Sequence, residues 1–173
     1  LESNPSYVLA DIGCTRALGS RYAVEKLQEV LEPLGAHFDW RRCNTRMTFA
    51  KNDTSYLEWC VVITFPTNPP ICTTIDVLDK GRIPILLSLQ QQMNLRMTYA
   101  LEPDRAYVTC DLLKMKNELC QFSNTRHIVL DLSRLCGKYP DKVTKDLRIN
   151  PLVQQRTFST SEEFSRQKSC LLY

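Results

Sequence analysis

The feature that most constrains the fold is a series of short apolar runs separated by turn-forming residues. The runs are rich in β-branched and aromatic residues, and most are five to eight residues long, which is typical of β-strands. Pro, Gly and Asn-Asp clusters stand between them and favour turns. We therefore predict a mainly β domain with strands at 6–10, across 38–65 (with 46–50 and 59–65 as the clearest runs and a turn at 51–53), and at 71–78, 83–87, 97–101, 106–110 and 127–132.

Helical spacing occurs in two places. Val24, Leu27, Leu31 and Leu34 recur every three to four residues after Ser20, which is a favourable residue at a helix N-terminus. Gly35 is typical of the position just beyond a helix end. The segment 88–95 predicts a second, shorter helix. We expect one early helix and one short helix near 88–95, both added to a β-rich fold.

The charge distribution suggests one folded unit and a polar end. Residues 1–137 carry 15 basic and 15 acidic residues, whereas residues 138–173 carry 7 and 4. We therefore expect a domain at 1–137 and a polar, basic linker or tail at 138–173. A balanced domain gives no reason to expect direct nucleic-acid binding by the folded part. The chain begins with Leu1 and no signal-peptide pattern, so we expect it to be part of a longer protein.

The cysteines and histidines do not form a metal-binding pattern. None of the eight cysteines lies in a C-x-x-C pair, and the two histidines, His37 and His127, are far apart in the sequence. We expect no metal site and no cofactor, and we expect reduced, mostly buried thiols. No apolar run reaches about 18 residues, so we expect no membrane span.

The segment that suggests chemistry is Val8-Leu9-Ala10-Asp11-Ile12-Gly13-Cys14-Thr15. It places a carboxylate at the end of an apolar strand and just before a glycine. A carboxylate near an apolar interior is costly unless it is hydrogen-bonded or paired. Two interpretations fit the residues alone: a turn aspartate that stabilises its own loop, or a catalytic carboxylate.

The segment resembles the D-[ST]-G-[AC]-[ST] turn of retropepsins, and it is most similar to the D-S-G-C-T form of Ty1/copia-type retrotransposon proteases. Asp11, Gly13, Cys14 and Thr15 match that form, and Ile12 does not. The apolar strand that ends in Leu86, Leu87 and Ser88 before a short helix is similar to the second landmark of the family. Phe49, Ala50, Lys51 and Asn52 stand where the family has its flap. The resemblance covers roughly residues 5–110.

The resemblance implies a closed β-barrel of the acid protease type. It also implies an aspartic endopeptidase that processes a retroelement polyprotein, with Asp11 as the single catalytic carboxylate of each chain. Its partners would be a second copy of itself and an extended peptide substrate, and its location would be cytoplasmic. Two carboxylates that face each other share one proton, so one acts as a base on water and the other polarises the scissile carbonyl.

Three departures from the family keep an alternative open. Ile12 lacks the hydroxyl that braces the two turns across the dimer in the family, Ser88 stands where glycine is usual, and no glycine occurs between Gly35 and Gly81. The alternative is a catalytically inactive retropepsin-fold domain that serves as a dimerisation or peptide-binding module, and an unrelated β-rich interaction domain is a third possibility. Asp131 also follows an apolar run, and we considered it as a second carboxylate within the chain.

Overall fold

The computed structural model describes residues 4–48, 54–103 and 105–137. They form a mainly β fold with two α-helices, as the sequence predicts. The predicted tail at 138–173 lies outside the described residues. The strands, in chain order, are β1 (Tyr7–Asp11), β2 (Leu18–Ser20), β3 (His37–Thr48), β4 (Thr54–Phe65), β5 (Ile71–Leu78), β6 (Leu86–Ser88), β7 (Thr98–Glu102), β8 (Arg105–Cys110), β9 (Met115–Leu119), β10 (Gln121–Phe122) and β11 (Ile128–Asp131).

The two helices begin at serine caps. Helix α1 (Arg21–Leu31) starts after Ser20, whose side chain accepts a hydrogen bond from the Ala23 amide. Its buried face is the predicted stripe except for Leu34, which is exposed. Leu34 lies in the 3₁₀ turn (Glu32–Leu34) that ends the helix before Gly35, which has a left-handed φ of 95°. Only glycine adopts that conformation without strain. Helix α2 (Leu89–Asn94) follows β6 directly.

The strands form two sheets. The larger one has eight strands in the order β10-β11-β1-β6-β2-β5-β4-β3, and the smaller one has the order β7-β8-β9. Within the described residues the larger sheet ends at β10 on one side and at β3 on the other. The expected closure into a barrel is therefore not seen, and the sheet is open. The apolar sides of both sheets meet in one core that contains Val8, Leu27, Val61, Val108 and Leu130.

Strand β6 lies between two strands that are consecutive in the chain. It is parallel to β1 and antiparallel to β2, so β1 and β2 run in opposite directions on either side of it. The connection 12–17 must then pass over the end of β6. As a result, the turn after Asp11 and the start of α2 are placed at the same edge of the sheet.

Two predictions about strands need correction. The run 83–87 is a strand only from Leu86, because Pro84 has no N–H to donate to a ladder. Its backbone is still paired, since Ile83 and Ile85 accept bonds from the Ser20 and Leu9 amides. Strands β2, β9 and β10 were not predicted. The polar residues of β9 hide its pattern, and Asn117 within it has a left-handed φ of 48°.

Candidate active site

Asp11 is the last residue of β1, and its side chain is partly exposed. It lies in register with Ser88 of the parallel strand β6. The Gly13 amide donates a 2.9 Å hydrogen bond to Asp11 Oδ1, and a Cβ at position 13 would lie 3.2 Å from that oxygen. A larger residue at position 13 would therefore crowd the carboxylate. This close approach is a second reason, besides turn formation, for a glycine at this position.

The remaining residues of the turn divide into buried and exposed positions. Ile12 is 71% exposed although it is a large apolar residue. Cys14 is buried, and its thiol donates a 2.6 Å hydrogen bond to the carbonyl of Arg16. Thr15 is exposed. The turn thus presents Asp11 and Ile12 outward and is anchored inward by Cys14.

The second predicted landmark forms the floor beside the turn. Leu87 is buried, Leu86 is half-buried, and Ser88 is 2% exposed. The Ser88 hydroxyl accepts a 3.4 Å hydrogen bond from the Gln91 amide, and the Gln91 side chain accepts a 3.1 Å bond from the Ser88 amide. This reciprocal cap starts α2. A serine in place of the usual glycine is therefore accommodated, because its side chain is used to cap the helix.

The turn and α2 are joined by direct contacts. The Leu89 amide donates a 3.1 Å hydrogen bond to the carbonyl of Cys14. Ile12 directly follows Asp11, and Leu89 directly follows its register partner Ser88, so both lie just beyond the same ends of β1 and β6. Leu89 and Met93 are one helical turn apart and are 46% and 61% exposed. We call Ile12, Leu89 and Met93 the turn patch.

The structure places Asp131 at the opposite end of β1 from Asp11. Asp131 pairs with Tyr7 across the antiparallel strands β1 and β11. Because β1 is five residues long, the two aspartates are separated by about 13 Å along the strand. Asp131 Oδ1 accepts hydrogen bonds from the Ser133 amide and hydroxyl at 3.0 and 2.7 Å, and it caps a 3₁₀ helix (Leu132–Cys136). Asp131 is therefore a capping residue, not a second carboxylate for this site.

The possible flap residues Phe49, Ala50, Lys51 and Asn52 lie outside the described residues. The strands that lead to and from them, β3 and β4, form a long antiparallel hairpin with an irregularity between Arg42 and Thr45. The sequence predicts strands across 38–65, and β3 and β4 occupy His37–Thr48 and Thr54–Phe65.

Sequence reasoning missed two polar connections that hold the site. Arg16 forms a two-pronged ion pair with Asp76 of β5, which is 1% exposed. The Gln91 side chain donates to Thr73 Oγ1 at 2.6 Å and to the Thr74 carbonyl at 2.8 Å. A signal for Asp76 was present, because a charged residue interrupts the apolar run Ile75-Asp76-Val77-Leu78. Its partner, Arg16, is 60 residues away, and the sequence alone did not identify it.

The described cysteines are free thiols, and Cys14, Cys60, Cys110 and Cys120 are buried. Burial raises the pKa of the Cys60 thiol to about 12, with a further contribution from the neighbouring Cys43 and Asp76. Across the described ranges, His, Cys, Asp and Glu side chains form no group of three or more that could hold a metal ion. In the same part of the chain, no helix is long and apolar enough to cross a membrane.

Comparison of the chain with protein-family models, with curated proteins and with solved structures gives no match.

Proposed function

We propose that the chain is an aspartic endopeptidase of the retropepsin type that processes a retroelement polyprotein in the cytoplasm. In this proposal two copies associate and each contributes Asp11. The observation that carries it is the register of Asp11 with Ser88. The two motifs are 77 residues apart in the sequence, and each by itself resembles a motif of the same family. In the fold they are neighbours at one edge of the sheet.

The exposure of the turn supports the proposal that the partner is a second copy of the chain. Asp11 is one carboxylate, and the catalytic mechanism requires two that face each other. The other strand-end aspartate, Asp131, points its carboxylate into its own cap at the far end of β1. The turn patch consists of exposed apolar side chains on the turn after Asp11 and on α2, which a twofold partner would bury. A twofold axis beside Ile12 brings the two Asp11 side chains together.

The chemistry follows from the paired carboxylates. Two carboxyl groups in contact hold one proton between them, because both cannot carry a negative charge at close range. The ionised group takes a proton from a water molecule as that water attacks the peptide carbonyl, and the protonated group donates a hydrogen bond to the carbonyl oxygen. The apparent pKa values belong to the pair. An extended peptide would pair as an added strand with the β3–β4 hairpin.

A cleavage assay on a pool of denatured proteins at about pH 5 tests the proposal. Asp11→Asn removes the general base while keeping the size of the side chain, and we expect it to lower cleavage at least about 10³-fold. Asp131→Asn is the matched control, since it makes the same change at the other strand end and should retain cleavage. Equal cleavage by wild type and Asp11→Asn would show that Asp11 is not catalytic.

One observation favours a second candidate function. The large apolar residue exposed on the turn is Ile12, which has no hydroxyl to brace the turns of two subunits against each other. A retropepsin-fold domain that associates through this apolar turn without cutting would serve as a dimerisation or peptide-binding module. Sedimentation equilibrium distinguishes the two functions when combined with the assay. A dimer of wild type and of Asp11→Asn with no cleavage by either would favour the module.

A further inference from the structure

The ion pair between Arg16 and Asp76 is the most deeply buried charged contact near the turn. Asp76 is 1% exposed, and both of its carboxylate oxygens are used. Arg16 Nε donates to Oδ2, and Arg16 Nη2 donates to Oδ1 at 2.9 Å. A buried carboxylate is strongly unfavourable without a partner, so Asp76 needs Arg16. A two-pronged contact of this kind also fixes the relative orientation of both side chains.

The pair connects the turn to the centre of the sheet. Arg16 follows Thr15 directly, and its carbonyl accepts the Cys14 thiol. The carbonyl of the next residue, Ala17, accepts a 2.9 Å hydrogen bond from the Asp76 amide. Both the main chain and the side chain of Asp76 therefore hold the C-terminal side of the turn. The N-terminal side is held by β1, between β6 and β11.

Strand β5 also holds α2. Thr73 and the Thr74 carbonyl bind the Gln91 side chain, two or three residues before Asp76. The turn and the helix beside it are thus fixed to one short stretch of β5, which itself pairs with β2 and β4 over most of its length. A shift of this stretch would move both parts of the candidate active site.

We propose that Arg16 and Asp76 are positioning residues for Asp11, and that their contact sets the orientation of the turn in which two copies present their carboxylates to each other. This inference rests on the proposed function. Neither residue acts on the substrate. The hydrogen bond that Arg16 donates to Asp76 raises the pKa of Arg16, burial lowers it by less, and the negative charge of Asp76 raises it further. Catalysis by facing groups is sensitive to geometry, and a misplacement of about 1 Å costs roughly 10²-fold in rate.

The test compares Arg16→Lys with Arg134→Lys in the cleavage assay, at concentrations that saturate the dimer. Lysine keeps the positive charge but lacks the planar fork. Arg134 makes an equally two-pronged contact with Glu118, with both distances 3.0 Å, and at 36% it is about as exposed as Arg16 at 35%. We expect kcat of Arg16→Lys to fall roughly 10²-fold with KM within about twofold. Arg134→Lys should keep the wild-type kcat.

A double variant protects the test against misfolding. Arg16→Met with Asp76→Leu replaces both charges with apolar groups, a change that often preserves stability. We expect this variant to fold, by circular dichroism and thermal unfolding, and to have the same low kcat.

Three outcomes would overturn the inference. They are a folded Arg16→Lys dimer with wild-type kcat, an equal loss in Arg134→Lys, and unfolding of both Arg16 variants, which would make the pair a requirement of the fold. A wild-type chain that cuts nothing overturns the proposed function itself, and the inference with it.

Discussion

The two strand ends that carry Asp11 and Asp131 are alike in sequence and different in use. Each aspartate follows three apolar residues, and the two strands are antiparallel neighbours in the same sheet. Each also accepts a hydrogen bond from the amide two residues later, at 2.9 Å for Gly13 and 3.0 Å for Ser133. The local turn is therefore nearly the same at both ends.

The difference lies in the residues that follow and in the neighbouring elements. Leu132, after Asp131, is 1% exposed, whereas Ile12, after Asp11, is 71% exposed. Ser133 adds a second hydrogen bond to the Asp131 carboxylate, whereas Gly13 has no side chain. Asp11 also lies beside β6 and the start of α2. One end is thus closed into the core and the other is open at the surface, which shows that the role of a strand-end aspartate depends on its surroundings.

The largest difference in stability should be found between variants of Leu132 and Ile12, the two apolar residues that follow the aspartates. Leu132→Ala leaves a cavity in the core and should lower the free energy of unfolding by about 2–5 kcal/mol. Ile12→Ala removes a side chain that is mostly in water and should change it by less than about 0.5 kcal/mol. Urea unfolding at protein concentrations low enough to keep the chains monomeric measures both. Similar losses would contradict the contrast in burial.

The two carboxylates should also differ in their contribution to stability. Asp131→Ala removes the cap of a 3₁₀ helix and should cost about 1 kcal/mol. Asp11→Ala removes a partly exposed carboxylate that bonds only its own turn among the contacts described above, and it should cost less than about 0.5 kcal/mol. Thermal unfolding of the two variants under the same conditions checks the order. A larger loss for Asp11→Ala would mean that Asp11 is a structural turn residue.

The third effect, about as large as that of Asp131→Ala, concerns a thiol beside the ion pair that anchors the Asp11 end. Burial raises the pKa of Cys60 from 9.0 to about 12. Between pH 9.0 and about 12, the Cys60 thiol is deprotonated in the unfolded chain but still protonated in the folded chain. The free energy of unfolding is therefore unaffected by this thiol below pH 9.0 and falls as the pH rises toward 12. Cys60→Ala should therefore weaken the loss of stability between about pH 8 and pH 10 by about 1 kcal/mol. An unchanged pH dependence would contradict the burial of this thiol.

Local patterns in the sequence predicted the elements that carry the site. The strand before Asp11 and the stripe of α1 after Ser20 follow from the spacing of apolar residues, and Gly35 from its freedom in φ. The start of α2 at Ser88 agrees with the short helix predicted at 88–95, and the structure adds the physical reason, which is the reciprocal cap with Gln91. These features depend on residues that are close together in the sequence.

Features that depend on distant residues were not predictable from spacing. The partner of Arg16 lies 60 residues away, and nothing in either segment identifies the other. The order of strands, with β6 between β1 and β2, is set by packing across the whole domain. For the same reason the sequence did not distinguish an open sheet from a closed barrel, since both bury the same alternating residues.

A mixing experiment tests the central claim, that each chain provides one Asp11 to a shared site. Wild type and Asp11→Asn are combined in equal amounts, allowed to exchange subunits, and assayed at constant total protein. If both carboxylates are required, only dimers of two wild-type chains cut, and the rate should fall to about a quarter of the wild-type rate because subunits combine at random. A rate of about half would mean that each chain carries a complete site, and that result would contradict the proposal.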